Sequence, residues 1–322
     1  MKWWKLCIVL VALAVATAHA DEVTWPTKPI RFIVPFPAGS AVDAIARVVG
    51  QRLGATLGQQ LVVDNRVGAS GSVGALAAAR AAPDGYTIGL VTTSTHAVAV
   101  SLNANLPYDP LKDFAPIGMI GNSPYVVVIY PGVPANNVVE LIAFAKAKPR
   151  ALNYASVGPA SLANLAVELF SHTAQIQLTH VPYRSSAQAL LDLIEGRIQL
   201  QFGTLGPTNP YIRDGKVRAL AVTSAKRVST LPDVPTLREA GMPDYEASLW
   251  TALMAPAATP TAIVNRLNRE LNAFLESDDG RTSLTTLGVE PEPGPPSAVQ
   301  GRIGRDMEKW RGVVKRAGIT AE

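Results

Sequence analysis

Short β-rich runs alternate with helical patterns along most of this chain, and that alternation is the feature that most restricts its fold. The runs IRFIV at 30–34, LVVD at 61–64, TIGLVT at 87–92 and VVVIY at 126–130 are separated by helical spacing at 42–53 and 72–82. After Pro131 the pattern resumes, with helices expected near 137–147, 162–173, 187–195 and 208–214 and strands near 152–155, 178–181, 198–202 and 219–223. Strands that each feed a helix form a parallel α/β sheet covered by those helices. Two βα sets of similar size predict two lobes, which 322 residues can fill with core.

The C-terminal part has a different pattern. In TPTAIVNRLNRELNAFLES, Thr259 is placed to cap a helix with Pro260 at its first position, and Ile263, Leu267, Leu271 and Phe274 form one apolar stripe. A second helix over 297–317 aligns Ile303, Met307, Trp310 and Val314, and PEPGPP from Pro291 separates the two. Both read as scaffold packed on a lobe.

The first twenty residues place Lys2 and Lys5 before an apolar run that closes on Ala18-His19-Ala20. This is the layout of a secretory signal cleaved after Ala20, and its apolar core is shorter than a membrane-spanning helix requires. The single cysteine, Cys7, leaves with it, so no disulfide is expected in the mature chain. The charge balance becomes 27 basic against 25 acidic residues. With no basic stripe and aromatics at 6%, nucleic acid is excluded as a partner. No later segment has eighteen uninterrupted apolar residues, so the expectation is a soluble periplasmic protein, monomeric.

Catalytic signals are missing. His96, His172 and His180 have no His or Cys at metal-ligand spacing, and His172 and His180 read as structural. GASGSVGA at 68–75 has its glycines at the wrong offsets for a nucleophile elbow and reads as a loop leading into a helix. Neither GxGxxG nor GxxxxGK[ST] occurs, so neither a metal nor a cofactor is expected, and nothing selects an enzyme.

The loops at strand ends offer another chemistry. Those at 35–40, 92–95, 156–161 and 183–186 are rich in small residues, and unpaired N–H groups at helix starts bind anions such as carboxylates. Ser40, Thr93, Ser94, Ser156, Ser161 and Ser185 add hydroxyl donors. Ser40 and Asp43 have capping-box spacing, which alone would explain both; Asp43 otherwise suits orienting a water better than touching an anion. Arg184, beside Tyr183, is either a surface cation or a charge-assisted donor to a carboxylate.

The segments WPTKPIRFIVPFPAGSAVDAIAR, VVDNRVGASGSVGA, LPYDPLKDFAPIG, LNYASVGPASLANLAVELF, HVPYR, GKVRALAVTSAKR, LPDVPTLREAGMPDYEASLW and MAPAATPTAIVNRLNREL, in this order, closely resemble the Bug family of substrate-binding proteins of tripartite tricarboxylate transporters. The resemblance spans nearly the whole mature chain. It implies an α/β, bilobed periplasmic-binding-protein fold of the Venus-flytrap, type II-like kind, with two chain crossings and C-terminal helices returning to the first lobe. The lobes are expected at 21–122 with 241–322, and at 123–240.

It further implies capture of a small organic carboxylate between the lobes and its delivery to a permease of a large and a small membrane subunit. Phe36, Pro37, Ala38, Gly39 and Asp43 match the family's first binding loop, with Ser40 where a second glycine is usual. Ser156, Gly158 and Ser161 match the second, with Ala160 for a glycine and Asn164 for a frequent histidine. Tyr183 is followed by Arg184-Ser185 instead of Lys-Gly, and Gly203, next to Thr204, stands where Asp is common. Trp250, near the second crossing, is expected in the hinge core. The competing readings are a secreted α/β hydrolase and a ligand-dependent adaptor for a membrane signalling protein.

Overall fold

The computed structural model describes residues 25–103 and 105–319. The expected signal sequence, with Cys7, lies outside them.

The sequence alternation becomes a mixed sheet in two halves. In the first, β1 (Ile30–Val34) pairs in parallel with β2 (Leu61–Asn65) and β3 (Thr87–Thr92), with α1 (Ala41–Leu57) and α2 (Ser72–Ala79) as crossovers. Period two decides what β1 buries: Ile30, Phe32 and Val34 enter the core shared with α1, while Ile33 enters the core on the opposite face. A π-helical turn at Ser94–Val98 and α3 (Ala99–Leu102) follow β3. The second half contains α4 (Val138–Ala147), β5 (Asn153–Ser156), α5 (Leu162–Ala174), β6 (Thr179–Pro182), α6 (Ser186–Ile194), β7 (Leu200–Thr204), α7 (Leu205–Arg213) and β8 (Arg218–Val222). Here β5 lies parallel to both β6 and β7.

Strand β4 (Phe114–Ile129) joins the halves. Phe114–Pro124 pair antiparallel with β9 (Ser248–Pro256), and Tyr125–Ile129 pair antiparallel with β7 and β8. The sequence predicts only the far end of this strand. Pro116, Gly118 and Gly121 interrupt its near half, and the ladder accommodates them with register shifts after Pro116 and Met119. Gly121 also leaves room for the backbone of β10 (Glu290–Pro291), which a Cβ would strike. Strand β9 escapes sequence reading because it is buried on both faces, so its residues do not alternate.

The chain returns to the first half at Thr223–Ala247, beside β4. Thr223 Oγ1 bonds with Tyr125 N at 2.8 Å and donates to the Ala247 carbonyl, tying the two passages together. After β9 come α8 (Thr261–Glu276), α9 (Asp278–Thr286) and α10 (Ser297–Ala317). The stripe Ile263, Leu267, Leu271 and Phe274 is buried as expected. The expected cap is corrected: Pro260, with ψ 133°, occupies the cap position, the helix starts at Thr261, and the buried Thr259 hydroxyl has no partner among the described residues. Helix α9 is too polar (DDGRTSLTT) for its period to show.

Helix α10 lies along β4 and the Ser94–Leu102 segment and also touches α5 of the second half. Trp250 is fully buried and donates from Nε1 to Asp306 Oδ2 at 2.7 Å. Asp306 also receives Lys309 Nζ at 2.7 Å and Arg302 Nε at 3.3 Å, and Arg302 continues to Glu246 at 2.9 Å and Asn122 Oδ1 at 3.2 Å. Removing one partner of such a cluster strands the others in low dielectric. Asp306→Ala is therefore expected to cost about 3 kcal/mol, read as a lower urea midpoint at unchanged slope.

Candidate functional site

Each half presents its loops to the other through the same local construction. At the end of β1, Ser40 has extended backbone (φ −72°, ψ 161°) and its Oγ accepts from Asp43 N at 3.2 Å, capping α1. The Asp43 carboxylate turns back into the loop. Oδ2 accepts from Gly39 N at 2.9 Å and Arg47 Nε at 2.8 Å, and Oδ1 accepts from Asn65 Nδ2 at 2.9 Å. Asn65 also donates to Phe36 O, locking the strand end to the loop.

In the second half Ser161 (φ −70°, ψ 146°) caps α5 through Asn164 N at 3.2 Å and donates to Gly158 O at 2.7 Å. Asn164 holds the Pro159 carbonyl at 2.9 Å and is itself fixed by Tyr154 OH at 2.8 Å. Ser156 Oγ lies 3.0 Å from Gly158 O and 2.8 Å from His180 Nε2, and His180 stacks on Tyr154. A third cap, Ser185 Oγ to Gln188 N at 3.3 Å, begins α6.

The two jaws differ in charge. α1 carries Asp43 in its first turn, whereas α5 and α6 carry no acidic residue there. A carboxylate at a helix start consumes the field and the amide that an anion would use. The starts of α5 and α6 thus keep more of that field than the start of α1.

A cavity of about 650 Å³ separates the jaws. Of the residues expected at a ligand, Phe36, Ser94, Ser156, Gly158, Ser161 and Thr204 line it. Pro37, Ala38 and Gly39 are exposed beyond it, and Ser40 and Asp43 hold the loop from behind. Thr93 is fully buried, its hydroxyl donating to Ser248 O at 3.1 Å and accepting from Trp250 N at 2.9 Å. Tyr183 donates to Asp192 at 2.7 Å, and burial followed by that carboxylate pushes its phenol up to about 12. Ser185 and Arg184 are exposed, and Arg184 has no ion-pair partner among the described residues. Gly203 is buried in β7, where a Cβ would stand 2.7 Å from Thr208 Oγ1.

Sequence reading missed Ala69, Ser70, Ser72, Tyr125, Gln201 and Leu249, all of which line the cavity. Gln201 carried a signal, a lone amide inside an apolar strand. It is 4% exposed, donates weakly to Ser186 O at 3.4 Å, and leaves Oε1 without a partner. Among the described residues, no Asp, Glu, Lys, Arg or His lines the cavity, and no group of three or more His, Cys, Asp or Glu could hold a metal. What remains are hydroxyls, amides and apolar walls such as Val98, Leu102 and Phe202, suited to a small ligand with a polar end and a hydrocarbon body.

Burial alone would raise the pKa of Asp43, but the bonds from Arg47, Gly39 and Asn65 outweigh it and bring the carboxyl from 3.8 to about 2. A depressed folded-state pKa stabilises fully above the unfolded value and is lost as pH falls through the folded one. Asp43→Asn is therefore expected to cost about 2 kcal/mol at neutral pH. Urea melts of both proteins should converge as pH drops from about 4 toward about 2.

Comparison with known proteins agrees with this geometry. The family described as Tripartite tricarboxylate transporter family receptor matches residues 45–319. Protein BugT of Bordetella pertussis (strain Tohama I) is 37% identical over 311 residues, covering 96% of this chain and 95% of the relative. The solved structure of R. palustris Rpa4515 with adipate is 38% identical with a TM-score of 0.79, covering 92% of this chain and 99% of that one. MatC from Rhodopseudomonas palustris with bound malate is 32% identical with a TM-score of 0.74, covering 90% and 100%. These are bilobed binding proteins and the family is one of receptors, which sets the hydrolase reading aside. The chain belongs to the tripartite tricarboxylate transporter receptor family.

Proposed function

We propose that this receptor captures a small organic carboxylate with an apolar body between its lobes and delivers it to a membrane permease of a large and a small subunit. The observation that carries the reading is the uncharged cavity between the jaws, faced by the capped starts of α5 and α6. Amides and hydroxyls aimed at one point hold a carboxylate without an ion pair. The adipate and malate bound by the two relatives support the same chemistry.

Ligand contacts are assigned to Phe36, Ser94, Ser156, Gly158, Ser161 and Thr204. Ser40, Asp43, Thr93 and Ser185 set the loops, and Arg184 attracts anions from the rim. The lobes comprise 21–122 with 241–322, and 123–240. Closure bends the crossings near Asn122–Tyr125 and Ala247–Ser248, because contacts to both jaws exist only in the closed state. The working form is a monomer exported to the periplasm, its signal removed after Ala20. An N-terminus at Asp21 in the periplasmic fraction is the expected readout.

Calorimetry over mono-, di- and tricarboxylates should find saturable binding, with a rise in apparent Tm and a smaller radius of gyration on loading. No binding across the panel would overturn the reading. Raising salt from about 0.05 M to about 0.5 M should weaken affinity less than about threefold, since no lining cation is available for screening. A loss beyond tenfold would put Arg184 on the ligand. Ser161→Ala should lower affinity about tenfold and stability by about 1 kcal/mol, since the hydroxyl caps α5 and, by donating to Gly158 O, holds the loop that lines the cavity.

A further inference from the structure

Four consecutive residues of the first lobe have positive φ: Gly68 at 142°, Ala69 at 44°, Ser70 at 52° and Gly71 at 95°. For an L residue this region drives Cβ toward the following carbonyl, so two adjacent non-glycine residues there are costly. Packing holds the turn from behind. A Cβ on Gly71 would lie 2.6 Å from Thr95 Cγ2 and 3.4 Å from Phe36 Cζ, and one on Gly74 would lie 2.7 Å from Pro35 Cα. Gly71 N and Val73 N both converge on the Gly68 carbonyl, at 2.9 and 3.5 Å. The turn is wedged against the loops that follow β1 and β3.

Its outer side is open. Ala69 and Ser70 are exposed, and both line the cavity shared with Ser156 and Ser161. Among the described residues, neither the Ala69 and Ser70 N–H groups nor the Ser70 hydroxyl has a hydrogen-bond partner. In the neighbouring 36–40 loop, by contrast, the Gly39 amide donates to the Asp43 carboxylate, the Ser40 Oγ accepts from Asp43 N, and only Phe36 reaches the cavity.

We propose that the left-handed turn Gly68–Gly71, with Ser70 at its tip, is the polar ligand contact of the first lobe, donating hydrogen bonds to a carboxylate or hydroxyl oxygen of the bound acid. The inference rests on the receptor reading and assigns its first-lobe jaw to a segment whose sequence suggests only a connection. The strained backbone fixes the donors before the ligand arrives, so little ordering entropy is spent on binding.

The test uses the full mature protein and the tightest carboxylate from the panel. Ser70→Ala should weaken affinity tenfold or more at unchanged Tm, the loss typical of a hydrogen bond to a charged group. Ser70→Gly removes the Cβ from the left-handed region, so it should raise Tm by about 2 °C while losing the same affinity. If wild-type protein binds a carboxylate and both variants bind it within twofold, the turn has no ligand role, and the receptor reading stands. If the wild-type protein binds no carboxylate, both fall.

Discussion

Strand β4 belongs to two sheets at once, and the rest of the molecule is organised around that sharing. Its first eleven residues complete the first lobe against β9, and its last five open the second lobe against β7 and β8. Backbone ladders on both sides oppose sliding of the strand, which is why the proposed closure is placed where its partners change. The returning passage sits directly alongside, bound by Thr223 to Tyr125 and Ala247. Two adjacent tethers mark the axis about which the closure proposed above bends. The cluster of Asp306, Arg302, Lys309 and Glu246 holds α10 beside that axis.

The loops show how one capping device yields opposite electrostatic results. Ser40 and Ser161 cap their helices identically, and the residue three positions on braces the loop in each case. Where that residue is Asp43, the brace is anionic and satisfies itself with Arg47 and Asn65. Where it is Asn164, the brace is neutral and the helix start stays electropositive toward the cavity. The single change from carboxylate to amide separates a helix start whose field is partly neutralised from one whose field is not.

Much of this was legible in the sequence because it depends on local rules. Ser40 with Asp43 three residues on announces a cap and behaves so, while Ser161 and Ser185, read from the sequence as hydroxyl donors, cap α5 and α6 by the same device. The stripe of α8 and the alternation in β1 follow from period alone. Features settled by distant contacts were not legible. The near half of β4 looks broken by Pro116, Gly118 and Gly121 until β9 and β10 supply its ladder. The turn at Gly68–Gly71 becomes left-handed only when Thr95, Phe36 and Pro35 crowd it. Which members of a loop face the cavity is also a tertiary outcome, so Ser94 and Thr93, adjacent in sequence, serve a cleft and a core respectively.

The uncharged cavity has a consequence for proton balance. No side chain that lines it changes charge between about pH 5 and about pH 8, since Tyr125, buried, is held above its ordinary value of 10. A titratable group does stand directly behind the wall: His180 Nε2 lies 2.8 Å from Ser156 Oγ, and burial lowers its pKa from the ordinary 6.5. The cavity walls themselves are thus insensitive to pH over that range, and the sensitivity they inherit comes through the single contact between Ser156 and His180.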